Sequence, residues 1–294
     1  MSYARCVHFY NAGPAIWLPT ANQTPMLRKM QLVLDQVRKP IRALRKSLRD
    51  LRGNLPQQAV HNLRTRSRRL EAVSAALPQH EKKNTHRMLK SIKPLRKAAG
   101  EVRDMDVLQT KVRLLMRRSP DPSFERLLAH LQSARAESAR QLADGFSTDW
   151  KTIRRRLKTF SRHVEEEFSK ELPDARQAHV VFDELSRWPR LNAANLHDFR
   201  IRIKELRYML QLMQDTNPAL LNALENAKVR IGTWHDWHEL YRIAADVLHA
   251  SKDRAAIATI AEVEAKKFRQ AMHAAQSLRT RYLRSPCLQE SIEP

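Results

Sequence analysis

Cysteine is nearly missing: Cys6 and Cys287 are the only two among 294 residues. They stand near opposite ends and make neither a disulfide framework nor a zinc-ligand spacing. Such usage points to a reducing, cytoplasmic setting. Glycine is also scarce, at 5 residues, and aromatics make up only 6%. That composition argues against a β-sandwich, a barrel or a glycine-rich nucleotide fold. No run reaches the ~18 apolar residues of a membrane span, so no membrane insertion is expected. Residues 1–25 lack the charged start and apolar stretch of a signal peptide. With Pro14, Pro19 and Pro25 they read as a flexible N-terminal arm. Acidic side chains are the remaining shortage, 31 against 54 Lys and Arg, which leaves a net charge of +23.

What is present favours helices. Hydrophobic residues are 42% of the chain, enough for a sizeable core and too many for wholesale disorder. Leu, Ala, Arg, Lys, Glu and Gln abound, all good helix formers. At about 150 residues per domain, the length suggests two compact units. The cationic excess resists compaction unless a polyanion or counterions screen it. Nucleic acid, an anionic membrane surface and an inorganic polyanion are the candidate partners. Residues 1–150 carry 29 basic and 12 acidic side chains, and the remainder 25 and 19. The first half should therefore dominate anion binding.

Apolar periodicity between breakers places the helices. Leu27, Met30, Leu34, Val37, Ile41, Leu44, Leu48 and Leu51 step by three and four, as one buried stripe does. Pro40 is placed to bend this helix, and Gly53 suits the position past its end. A second helix follows Pro56 and stops before Pro78. A third spans about 79–118, kinked at Pro94, and a fourth about 123–143. The second half begins with a helix at about 148–169 carrying Trp150, Ile153, Leu157, Phe160 and Val164. An extra short helix lies between Pro173 and Pro189, followed by helices at about 191–214, 218–249 and 253–284. The expectation is an all-α fold. It consists of two antiparallel four-helix bundles, 26–145 and 146–286, joined near Gly145, with a tail at 287–294.

An internal repeat supports this division. VHNLRTRSRRL at 60–70 matches LHDFRIRIKEL at 196–206. His61 aligns with His197, Arg64 with Arg200, Arg66 with Arg202, and Arg68 with Lys204. A weaker echo pairs GEVRDMDV at 100–107 with GTWHDWHE at 232–239. There Gly100 meets Gly232 and Asp104 meets Asp236, while His235 and His238 replace Arg103 and Asp106. Helical geometry puts His61, Arg64 and Arg68 on one face, and His197, Arg200, Lys204 and Arg207 on another. Beside them run apolar seams, Val60, Leu63, Ser67 and Leu70 in one copy and Phe199, Ile203, Leu206 and Leu210 in the other. Further cationic ribbons follow Arg38, Arg42, Arg45, Arg49 and Arg52 on the first helix, and Lys151, Arg154 and Lys158 on the fifth. On the third helix His86, Lys90, Lys93, Lys97, Gly100 and Asp104 form one stripe. Like charges at such spacings weaken an isolated helix. Several parallel ribbons are thus hard to explain by stability alone.

Taken together, VHNLRTRSRRL, GEVRDMDV and LHDFRIRIKELRY resemble the CHAD family, the conserved histidine α-helical domain, over about residues 27–284. The resemblance implies two four-helix bundles related by a pseudo-twofold axis. It also implies inorganic polyphosphate binding in a basic pocket or pore between them, with association to polyphosphate granules. By position, His61, Arg64, Arg68, His197, Arg200 and Lys204 would line that surface. The ribbons add Arg38, Arg42, Arg45, Arg49, Lys90, Lys93, Lys97, Arg154, Lys158 and Arg207. Asp104 and Asp106 are expected to brace arginines rather than touch an anion. Three features depart from the repeat and bear on the second half's share of binding: His235, His238, and Glu205 where the first copy has Arg69.

The chemistry fits such a ligand. Arg offers a planar fork for two oxygens and Lys a mobile point charge. Affinity should fall steeply with salt through counterion release. If His61 and His197 charge near bound phosphate, affinity should rise below about pH 7.

Sharper chemistries fit less well. Glu262, Glu264 and Lys266 match the Glu-x-Glu-x-Lys mark of the CYTH triphosphatases that accompany CHAD modules. That motif needs a β-strand to align its side chains, and here it reads as helix. His235 and His238 have metal-compatible spacing but no HExxH or Cys, so a histidine pair beside Trp234 and Trp237 is expected and no metal. His61-Asn62-Leu63-Arg64 resembles a histidine phosphotransfer site, but Thr65 stands where that family has Gly. Nonspecific nucleic-acid binding is the main alternative, favoured by charge. It is disfavoured by few aromatics and by the lack of a helix-turn-helix or zinc finger. With no carboxylate pair or metal motif, a non-enzymatic binding module without cofactor is expected.

Overall fold

A computed structural model describes residues 26–51, 55–75, 77, 82–170, 176–211 and 217–283. The arm at 1–25, Gly53, Met213 and the tail at 287–294 lie outside the described residues, as do the side chains of Leu27 and Met30. Among the described residues the fold is all-helical. Its elements are α1 (Met26–Asp50), α2 (Gln57–Ala75), α3 (Lys82–Arg118) and α4 (Pro122–Phe168) in the first part. The second part contains α5 (Arg176–Ser186), α6 (Leu196–Leu210), α7 (Pro218–Val247) and α8 (Arg254–Leu278), then a π-helical turn at Arg279–Leu283. No helix among these is long and apolar enough to cross a membrane.

Two starts show how sequence sets local structure. Asp121 accepts a hydrogen bond from the Ser123 amide at 2.8 Å, with Pro122 in the first turn of α4. Asn217 accepts from the Ala219 amide at 2.9 Å, with Pro218 opening α7. Both satisfy amides that the first helical turn leaves orphaned, and proline loses nothing there. Pro40 and Pro94, by contrast, lie inside α1 and α3, which run through them.

The expected fourth and fifth helices are one. α4 runs unbroken through Gly145, so a division at 145/146 falls inside a helix. Glycine there costs about 1 kcal/mol relative to Ala. Against that, Leu142, Phe146, Ile153 and Leu157 keep the apolar seam continuous, and all are buried. Phe146 and Trp150 also pack ring to ring at 5.2 Å. The start of α6 is corrected too. Residues 191–195 form a turn held by Asn192 and Asn195, each accepting backbone amides through its side chain. Asparagine competes well for such amides outside a helix.

Burial follows the seams. Val37, Ile41, Leu44, Leu48 and Leu51 of the first stripe are buried, as are Val60, Leu63, Ser67 and Leu70, and Phe199, Ile203, Leu206 and Leu210. Ser67 donates to the Leu63 carbonyl at 2.7 Å, which satisfies the buried hydroxyl. One apolar cluster joins α1, α2, the first half of α3 and the second half of α4. A second joins α5, α6, the first half of α7 and the second half of α8. In a third, the distal halves of α3 and α4 meet those of α7 and α8. There buried Asp253 accepts from Ser123 Oγ at 2.8 Å, from the His249 amide at 2.9 Å and from Arg126. α2 also lies against α6, and α3 against α7. The repeated segments therefore face each other.

Candidate anion-binding site

The His-x-x-Arg helices α2 and α6 bring their cationic faces together. Arg64 Nη1 donates to Asp104 Oδ1 on α3 at 2.8 Å. Gly100, one turn earlier on α3, offers the space beside it: an added Cβ would lie 3.8 Å from Arg64 Nε. The second copy repeats this arrangement more tightly. A Cβ on Gly232 would lie 2.6 Å from Arg200 Nη2 and 2.9 Å from its Nε. Arg200 thus rests on the bare backbone of α7, where its Nε donates to the Lys228 carbonyl at 3.2 Å. Glycine is costly inside a helix, and this close approach explains why α7 carries one.

Six cations from four helices converge here: Arg64 and Arg68 of α2, Arg96 of α3, Arg200 and Lys204 of α6, and Lys228 of α7. Glu71 pairs with Arg68 at 3.2 Å and also with Arg96. Glu225 takes Lys228 at 2.5 Å and Arg207 at 2.7 Å. Arg200 and Lys204 have no carboxylate at ion-pair distance among the described residues. Burial, together with Arg200, Arg68 and Arg64, pushes Lys204 down to about 7. Burial and the neighbouring Arg68 and Arg64 bring Arg96 down to about 10. A recess of about 320 Å3 opens between α2 and α6, lined by Arg68, Lys204 and Tyr208 with Glu71 and Glu205.

Histidines edge this cluster. His197 and His235 stack with ring centroids 4.3 Å apart. Burial lowers the pKa of both, helped by their mutual proximity at His197 and by Arg200. His61 is exposed, and partial desolvation with Arg103 and Arg64 nearby lowers it too. Cations crowded and partly desolvated in this way are stabilised by an anion brought among them.

The CHAD domain family model matches residues 33–245. The chain belongs to the CHAD domain family. The match is shorter than the 27–284 read from the motifs. It stops before α8, which nevertheless completes the second and third clusters. The crystal structure of the CHAD domain from the plant Ricinus communis shares this fold, with a TM-score of 0.61 and 16% identity. That similarity covers 85% of this chain and 91% of the plant one. No match is found among curated proteins.

Within this CHAD domain the remaining residues singled out by the sequence go to separate places. Arg45, Arg49, Arg154 and Lys158 line a groove between α1 and α4. Arg38 lies beyond its end, paired with Glu165 at 3.1 Å. Arg42, Lys90, Lys93 and Lys97 are exposed. The three lysines share the face of α3 that leads to Gly100 and Asp104. Arg207 is held by Glu225, at one side of the cluster. The two aspartates act as braces. Asp104 holds Arg64, and buried Asp106 accepts from Arg135 Nε at 2.7 Å and Gln57 Nε2 at 3.0 Å. The repeat's departures are accounted for as well. His235 packs on the His197 ring. Glu205 pairs with Arg202 at 2.6 Å. His238 and Trp234 both reach Glu264 Oε1.

Sequence reasoning missed Arg96, Lys228 and Arg155. A signal for two of them existed: Arg96 stands four residues before Gly100, as Lys228 stands four before Gly232. The repeat of α3 in α7 therefore begins one turn earlier than the motif suggested.

Proposed function

We propose that this protein is a non-catalytic receptor for inorganic polyphosphate, which it binds where the duplicated halves of the chain meet. In this reading the two halves are bundles related by a pseudo-twofold axis through the α2–α6 contact. Arg64, Arg68, Arg96, Arg200, Lys204 and Lys228 bind the phosphate oxygens. His61, His197 and His235 add donors at the edge, and the exposed lysines of α3 extend the track. The observation that carries the reading is Lys204, half-buried among arginines with no carboxylate at ion-pair distance among the described residues. A polyanion supplies that neutralisation, and closely spaced phosphates match a cluster drawn from four helices. The cellular setting that follows is the cytoplasm, on polyphosphate granules. Arg64 and Arg200 stand close enough to repel each other within the cluster, and Asp104 orients Arg64 without touching ligand.

Calorimetric titration of long-chain polyphosphate at physiological salt, with duplex DNA as competitor, tests this. The expected result is tight binding that DNA displaces poorly and that loses its central component in Arg64→Ala/Lys204→Ala. Binding that DNA of equal charge removes, and that ignores the double variant, would support nonspecific nucleic-acid binding instead.

A further inference from the structure

A second recess lies apart from the central cluster. It is a groove of about 940 Å3 between α1 and α4, whose rim carries Arg45 and Arg49 on one side and Lys151, Arg154, Arg155 and Lys158 on the other. Among the described residues no acidic side chain lines it; Glu165 and Glu166 line an adjoining recess that shares Arg45 and Lys158. Asp50 and Asp149, the acids closest in sequence, lie outside the groove. None of the six cations makes an ion pair among the described residues, whereas nearby Arg38 and Arg162 do.

This concentration is unfavourable by itself. Arg45 with Arg49, Lys151 with Arg155, and Arg154 with Lys158 are like charges one helical turn apart, an arrangement that weakens a helix. Across the groove the two helices also present the same sign to each other. Solvated lysines and arginines would cost less if spread over the surface. Residues 1–25 contain no Asp or Glu, and residues 284–294 contain two Glu. Neither of these two stretches supplies an acidic run to fill the groove.

The groove is also separate from the central site. α1 packs on α2 and α4, and α3 packs on the same two. The α1–α4 seam thus lies across the first apolar cluster from the α2–α3 seam, on which the central cations stand. We propose that the α1–α4 groove is a second site for a phosphate chain, and that the protein thereby bridges two stretches of polyphosphate. The ligand class rests on the polyphosphate reading given above; the position and independence of the site rest on the groove. Two sites on opposite sides of one core turn a receptor into a cross-linker, because each bound protein raises the effective concentration of the second stretch.

The test combines calorimetry with short-chain polyphosphate, to count sites, and light scattering with long-chain polyphosphate, to detect bridging. Arg45→Ala/Arg154→Ala and Arg49→Ala/Lys158→Ala alter only exposed side chains, and each is compared with Arg64→Ala/Lys204→Ala. Two short chains per wild-type protein are expected, and one for every double variant. Long chains should scatter light with wild type alone. A single chain per wild-type protein, or groove variants that keep both stoichiometry and scattering, would overturn the proposal and leave the central reading standing. Groove variants that lose all binding while the central variant keeps it would sink both the central reading and bridging. Duplex DNA that empties the groove and spares the centre would make the groove a nucleic-acid surface, and the proposal would fall.

Discussion

Gly100→Ala and Gly232→Ala form a matched pair with opposite expected outcomes. Both glycines lie inside long helices, where alanine is favoured by about 1 kcal/mol. At Gly100 the new Cβ would meet Arg64 Nε at 3.8 Å, ordinary contact. The gain is kept, and the melting temperature should rise by about 1.5 °C for a chain of 294 residues. At Gly232 the Cβ would meet three atoms of the Arg200 guanidinium at 2.6, 2.9 and 3.0 Å. Arg200 must leave the backbone of α7 and give up its bond to the Lys228 carbonyl. A hydrogen bond from a charged group is worth about 1.5–3 kcal/mol. The net effect is a loss of about 0.5–2 kcal/mol once the helical gain is subtracted. Thermal unfolding of the two variants side by side measures the difference. Polyphosphate titration should show weakened binding for Gly232→Ala alone. In an Arg200→Ala background Gly232→Ala should become stabilising, since its obstacle is gone. Equal rises in melting temperature for both variants, or full affinity in Gly232→Ala, would refute the account of Arg200 seated on bare backbone.

Other expectations follow from the charges. Lys204 is held near 7, far below its unfolded value, so between about pH 7 and 10 the unfolded chain binds the extra proton and stability should rise with pH. Lys204→Met should flatten that rise, raise stability at neutral pH and weaken polyphosphate binding; thermal unfolding against pH with paired titrations decides. Bound phosphate should restore the suppressed protons on Lys204, His61, His197 and His235, whose values all lie below normal. Affinity should therefore climb as pH falls from 8 to 6 at fixed salt, with proton uptake visible in buffers of different ionisation enthalpy; a flat profile would remove these groups from the site. Asp106→Ala should cost about 3 kcal/mol by stranding Arg135, as loss of one partner of a buried ion pair does. Chemical denaturation reads that loss, and a cost near zero would mean the brace is idle.

Much of the fold is written locally. A helical period of three and four residues needs only neighbours along the chain, so the seams of α1, α2 and α6 and the capped starts of α4 and α7 were legible residue by residue. The duplication was legible for the same reason. His61-x-x-Arg64 and His197-x-x-Arg200 are short strings, and helical geometry alone puts their members on one face. The error at Gly145 shows the limit of such reading. A lone glycine is a weak breaker, and whether the chain continues through it depends on burial of Leu142 and Phe146 against helices far away in sequence. The site shows the same limit more sharply. Periodicity marked several cationic ribbons and could not rank them, because a ribbon's meaning depends on what lies opposite.

Only the packed structure separates Arg38, paired with Glu165, from Lys204, which makes no ion pair among the described residues. It also splits one set of candidate residues into a central cluster and a groove on the far side of a core. By itself the sequence determined that this chain is helical, duplicated and cationic, since those properties are local or additive. Tertiary structure alone decided which cations are desolvated and crowded together. Desolvation and Coulomb repulsion depend on distances between helices, and no spacing along a single helix encodes them.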